Sequence, residues 1–173
     1  MIDHIPDHIP MVDSVKHKSF TASLPPPGAC TCGCLRKASR RISQFYDMAL
    51  APVGIKSTQY SILSEVARGS ALGAVTMCEL AAAMVMDRST LGHNLRPLER
   101  DALVILQHAP DDRRKRHVQL TRKGKALLQR ARHSWGRAED RFESIFGKKP
   151  ASELRAVLLD IANRRDLSLP PVR

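Results

Sequence analysis

Between Asp87 and Arg96 the chain reads Asp-Arg-Ser-Thr-Leu-Gly-His-Asn-Leu-Arg. Arg88, Ser89, Thr90, His93, Asn94 and Arg96 place cations, hydroxyls and planar hydrogen-bonding groups within a few helical turns. Such groups suit recognition of a polar surface. Arg pairs bidentately with guanine and Asn with adenine, while Ser and Thr near a helix start accompany free backbone N–H groups that suit a phosphate. Further along stands Asp112-Arg113-Arg114-Lys115-Arg116. An arginine at a hairpin tip fits a narrow minor groove, where the negative potential is strongest. Asp112, two residues before Arg114, is spaced to hold its guanidinium by a charge-assisted bond. From Asp111 to Lys125 seven Lys or Arg stand against two Asp. Thr58, Gln59 and Thr76, at the starts of two earlier helices, complete the candidate DNA-contacting set.

The elements that must position these groups follow from hydrophobic spacing. From Leu35 an apolar stripe of Leu35, Ala38, Ile42, Phe45, Tyr46 and Ala49 marks a helix ended by Pro52 and Gly54. A second helix, capped by Ser57 or Thr58, runs to about Arg68, and Gly69 to Gly73 reads as a loop. Thr76 with Glu79 forms a capping box for a short third helix, in which Cys78 reads as a core residue. Val85-Met86 is a turn, and Asp87 caps a fourth helix, Arg88 to about Arg100, whose inner face is Leu91, Leu95 and Leu98. Pro97 lies inside that helix. Leu103–Leu106 and His117–Leu120 are strand candidates around the basic tip. Thr121 caps a long fifth helix with the stripe Leu127, Ala131, Trp135, Ala138, Phe142 and Ile145, stopped by Gly147 and Pro150. Ser152 caps a sixth with Leu154, Val157, Leu158, Ile161 and Ala162 on one face.

Two short helices followed by a two-stranded basic hairpin make a winged helix-turn-helix: mainly α, with a small β-wing. The expected organisation is an N-terminal arm over 1–29, partly flexible or docked on a partner subunit, and a first dimerisation helix over 30–56. A DNA-binding lobe over 57–121 follows, then the long and C-terminal helices over 122–166, and a tail over 167–173. The terminal helices carry more apolar surface than one small subunit covers. A homodimer buries it and sets two reading helices about one DNA turn apart.

Composition agrees. Lys and Arg number 28 against 17 Asp and Glu, a net +11 that suits a polyanionic partner. Only 4% of residues are aromatic, so aliphatic side chains fill the core and helices are favoured. No apolar run approaches the roughly 18 residues of a membrane span. The N-terminal Met-Ile-Asp-His-Ile-Pro lacks the basic start of a signal peptide, so the cytoplasm is expected, with no membrane partner. A Gly-rich phosphate loop, H-E-x-x-H and G-x-S-x-G are all missing. The sequence therefore gives no reason to expect an enzyme, a catalytic residue, a cofactor or a metal. The alternatives are a winged-helix adaptor that binds protein and a sequence-tolerant DNA-binding protein. Four consecutive cations at a wing argue against the adaptor.

The run from Asp87 to Leu128 resembles the MarR family of bacterial transcription regulators. The similarity lies in Asp87 to Leu91 opening the reading helix, Leu95 to Glu99 near its end, Asp112 to Arg114 in the wing, and Leu120 to Gly124 starting the next helix. It extends upstream through Leu35-Arg36, Tyr46, Leu50, Pro52 and Thr58-Gln59. This resemblance implies an obligate homodimer on a pseudo-palindromic operator, and repression relieved by a small molecule. It places the effector, often an anionic aromatic, between the dimer helices and the DNA-reading lobe. Arg36 and Arg40 are then candidates to pair with a carboxylate, and Tyr46 or His117 to bond a phenol. Ala102 stands where the family often has Gly, and Gly92-His93 replaces a common Thr-Arg pair.

Cys30, Cys32 and Cys34 form a C-x-C-x-C cluster. Three readings stay open. The thiols sense oxidants and release DNA, with Arg36 and Lys37 favouring the thiolate. They join His4, His8 or His17 on a metal, although this is not a usual zinc spacing. Or they are small residues entering a helix at a dimer interface.

Overall fold

The computed structural model describes residues 26, 28–71, 74–108, 115–164, 166 and 167. The elements run α1 (Thr31–Leu50), a single 3-10 turn, α2 (Ser57–Ala71), β1 (Val75–Thr76), α3 (Met77–Ala83) and α4 (Arg88–Arg100). Then come β2 (Val104–His108), β3 (Arg116–Leu120), α5 (Arg122–Phe146) and α6 (Lys148–Asn163). Two compact units divide at Ser39 and Arg40, within α1.

The core lies under the reading helices. Leu91, Leu95 and Leu98 of α4 are fully buried, and they meet a cluster containing Ile62, Leu63 and Val66 of α2, Leu80 and Ala81 of α3, Val104, Val118, Leu127 and Leu128. Burying a Leu side chain is worth about 1.5–3 kcal/mol, so this face fixes which side of α4 looks outward. Local chemistry sets the helix starts. Thr76 Oγ1 accepts from Glu79 N at 3.2 Å, and Glu79 Oε2 accepts from Thr76 N at 2.8 Å, the two halves of a capping box. Asp87 accepts from Thr90 N at 2.7 Å, and Thr121 Oγ1 from Gly124 N at 2.9 Å. At Gly124 any Cβ would collide with the carbonyl oxygen of Leu103, so the L-T-x-x-G turn admits only glycine.

Several boundaries differ from the sequence reading. Helix α1 starts at Thr31, four residues before the apolar stripe begins. Gly69 does not open a loop, because α2 continues to Ala71; there Gly69 lets Val75 approach, and an added Cβ would sit 2.7 Å from Val75 Cβ. A third strand, β1, was not expected. The sheet order is β1-β3-β2, antiparallel throughout, with Val75 opposite Val118 and Val104 opposite Leu120. Ser152 lies inside α6 and does not cap it. That helix begins after Gly147, whose φ of 89° turns the chain, and Pro150 occupies its first turn, where no backbone donor is needed. Cys78 is exposed and not in the core, because α3 turns Leu80 and Ala81 inward.

Candidate nucleic-acid interface

With its leucines buried, α4 presents Arg88, Ser89, Thr90, His93 and Arg96 to solvent. Asp87 organises the first turn. Its carboxylate accepts from the Ser89 hydroxyl at 2.6 Å and from the Thr90 hydroxyl and backbone N–H, each at 2.7 Å. The Ser89 bond foremost, then those of Thr90, hold the Asp87 carboxyl well below the usual carboxylate range. The Arg96 guanidinium lies 3.3 Å from His93 Nδ1. A guanidinium only donates, so this contact is a hydrogen bond in the tautomer of His93 that has its proton on Nε2. The outward face is therefore rich in donors. Asn94 is half-buried at the flank and donates its amide to the Thr90 carbonyl at 2.9 Å. Pro97 lies within α4 without ending it, and leaves the His93 carbonyl without its usual helical donor.

The other sequence candidates fall at several places. Gln59 Oε1 accepts from Lys56 N at 2.9 Å at the start of α2, where Thr58 is exposed. Thr76 is engaged in its capping box. Lys115 and Arg116 are exposed, but Arg116 belongs to β3, opposite His108, and not to the wing tip. Asp112, Arg113 and Arg114 lie outside the described residues. Lys123, absent from the sequence set, donates to the Asp101 carbonyl at 2.9 Å and so closes the end of α4. Asp47 was also missed: its carboxylate accepts from Ser57 N at 2.6 Å and pairs with Lys56 at 3.5 Å, capping α2 from α1.

A cavity of about 380 Å³ lies against the reading motif. Ile42, Tyr46 and Leu50 of α1, Thr58, Tyr60 and Ser61 of α2, and Trp135 and Glu139 of α5 line it, with Met84 and Met86 from the turn before α4. Tyr60 and Trp135 are stacked at 6.0 Å between centroids. The Tyr46 hydroxyl donates to Glu139 Oε1 at 2.5 Å, and Arg155 of α6 donates to Glu139 Oε2 at 3.1 Å and Glu143 Oε1 at 2.8 Å. Burial first, then the bond to Glu139 and its charge, raise the Tyr46 phenol far above the ordinary tyrosine range. Of the effector candidates Tyr46 lines this cavity. Arg40 and His117 are not among its lining residues, and His117 stands on β3 opposite Thr76 and Gln107. Arg36 is exposed on α1.

Cys30, Cys32 and Cys34 are exposed at the start of α1. Cys30 Sγ accepts from Gly33 N at 3.3 Å, and the Cys34 thiol donates to the Gly28 carbonyl at 3.4 Å. Among the described residues no group of three His, Cys, Asp or Glu is placed to hold a metal. His4, His8 and His17 lie outside the described residues. No helix among the described residues is long and apolar enough to cross a membrane.

A buried-leucine helix with a donor-rich outer face, preceded by a short capped helix and followed by an antiparallel hairpin, defines a winged helix-turn-helix protein. The sequence model of the MarR family matches residues 53–115. The M. tuberculosis transcriptional regulator MosR, solved in complex with DNA, is 34% identical, with 77% of this chain and 93% of that one covered at a TM-score of 0.68. The repressor CouR of Rhodococcus jostii, bound to a 23-mer DNA duplex, is 28% identical, with 78% and 93% covered at a TM-score of 0.69. The regulator PecS of Dickeya dadantii is 27% identical over 126 residues, which are 73% of this chain and 76% of PecS. The chain belongs to the MarR family of transcription regulators.

Proposed function

We propose that two copies of this chain bind one pseudo-palindromic operator and repress transcription until a small molecule releases them. The observation that carries this is α4, whose buried Leu91, Leu95 and Leu98 turn Arg88, Ser89, His93 and Arg96 outward beside the β2–β3 wing. His93 Nε2–H and the free donors of Arg96 suit the O6 and N7 acceptors of guanine in a major groove. Asn94, bonded to its own helix, acts at the flank. Arg113 and Arg114 with Lys115 enter the adjacent minor groove, and Thr58, Gln59 and Thr76 approach the phosphates. MosR and CouR, solved with DNA, support this reading.

Residues 57–121 form the reading lobe; α1, α5 and α6 form the dimer. The exposed Leu154, Val157 and Leu158 on α6, with Phe146, give that interface its apolar surface. The effector sits in the cavity that Met84 and Met86 of the turn before α4 help to line, so occupancy acts on the spacing of the two reading helices. The protein acts in the cytoplasm by binding, without turnover.

The test is the affinity of the purified protein for its own upstream DNA against a random duplex of equal length, at near-physiological salt. A sequence-specific regulator prefers the former by at least about 10³-fold. Equal affinity for that DNA, for random duplex and for sequences recovered by selection from a random pool overturns the reading in favour of sequence-tolerant binding.

A further inference from the structure

The charge of the cavity against the reading motif is unlike that of a site for aromatic acids. Among the described residues its lining contains one acidic side chain, Glu139, and no Lys, Arg or His. Three rings, Tyr46, Tyr60 and Trp135, face the same space. Behind Glu139 stand Arg155 and Glu143, so two carboxylates against one guanidinium leave one net negative charge. Arg68 and Arg132 line an adjoining concavity of about 510 Å³, which shares Tyr60, Ser61 and Trp135 with this one. Arg68 is moreover held by Glu65 at 2.6 Å.

We propose that this cavity binds an organic cation, an aromatic amine or a quaternary ammonium, rather than an aromatic acid. The inference rests on the reading of this cavity as the effector site. A carboxylate entering here loses its water beside Glu139 and meets no cation among the described lining residues, which disfavours the charged form. A cation meets the opposite conditions. Ring faces attract it through their quadrupoles, and aromatic cages are the recurrent solution for quaternary ammonium groups. Glu139 is fixed by Tyr46 on one oxygen and Arg155 on the other, so its charge is held in place and each oxygen keeps further lone-pair capacity. Met84 and Met86 supply polarizable walls that adapt to a ligand's shape.

The chain has one tryptophan, Trp135, and it lines the cavity, so its fluorescence reports occupancy of the full-length protein. The probes are phenyltrimethylammonium, its neutral isostere tert-butylbenzene, and benzoate. Saturable quenching by the cation at roughly tenfold lower concentration than by the isostere, with benzoate weakest, is the expected order. Glu139→Gln removes the preference for the cation over the isostere, whereas Glu139→Asp keeps it. Thermal unfolding of both variants, followed by circular dichroism, shows that the comparison is between folded proteins. Benzoate binding as tightly as the cation, a cation preference that survives Glu139→Gln, or no quenching by any probe overturns the proposal. Operator binding is followed in parallel by anisotropy. Cation binding that leaves the operator complex intact upholds the ligand class while removing release through this cavity.

Discussion

Val85 occupies the left-handed region at φ 50°, where a β-branched side chain is strained. The surrounding hydrogen bonds explain why it is there. Met86 N donates to the Ala81 carbonyl at 2.9 Å and Val85 N to the Ala82 carbonyl at 3.1 Å, the paired bonds of a Schellman end to α3. The position after that helix ordinarily carries glycine. Ala102, at φ 56°, repeats the arrangement after α4, with Leu103 N on the Leu98 carbonyl at 2.8 Å. Val85 is 68% exposed, so its replacement sacrifices little packing. Val85→Gly should stabilise the protein by about 1 kcal/mol, the left-handed cost relieved less the extra chain entropy. A thermal melt should rise by roughly 2–4 °C; an unchanged or lower midpoint would show that Val85 is not strained. The tyrosines give a second residue-scale prediction. The chain has two, Tyr46 and Tyr60, and burial raises the phenol of each, Tyr46 further through Glu139. A raised folded value means that the contribution to stability is complete below the ordinary value of about 10 and is lost as pH rises through the folded value. Ultraviolet titration should therefore find less phenolate at pH about 10 in the native protein than after denaturant is added, with Tyr46 still protonated in the native state. A native titration near the free-tyrosine value would remove the Tyr46–Glu139 bond from the account.

At the scale of elements, what the sequence reveals is what local chemistry decides. The Thr76–Glu79 box, the Asp87 and Thr121 caps and the Leu91-Leu95-Leu98 face each lie within a few residues, and the helices start where those signals stand. The ends were harder. Val85 and Ala102 close helices without the glycine that announces a left-handed cap. Helix α6 starts after Gly147 with no side-chain cap, so Ser152 drew the start too late. Strand β1 is two residues long and exists because β3 lies beside it, a pairing between positions 75 and 118 that no local pattern carries. The cavity was illegible for the same reason. Trp135 appeared only as part of a long apolar stripe, and Glu139 carried no signal of its own. Their meeting with Tyr46, Tyr60 and the Met84–Met86 turn depends on the crossing of four separate segments. The reading face of α4 was legible except in detail: its outward side follows from helical periodicity, whereas the Asn94–Thr90 and Arg96–His93 bonds that decide which donors remain free do not.

At the scale of the whole molecule, the unfinished part is the apolar face at the C-terminal end. Phe146 is 58% exposed and Val157 is 56% exposed, while Leu154 and Leu158 lie on the same stripe of α6 as Val157. Contiguous apolar surface of this kind marks an interface. The clamp from Arg155 to Glu139 and Glu143 fixes α6 against α5 within one chain, so the face is presented by a rigid support. If two chains meet here, Val157→Glu places an unpaired charge in the contact and should weaken the dimer by on the order of a hundredfold in dissociation constant. Sedimentation at micromolar concentration would then show a monomer with unchanged helical content. Operator affinity should fall further than binding to random duplex, because a monomer engages one half-site and forfeits the effective concentration that linkage gives the second. A variant that stays dimeric and keeps its operator preference would move the interface away from α6 and require another element to space the reading helices.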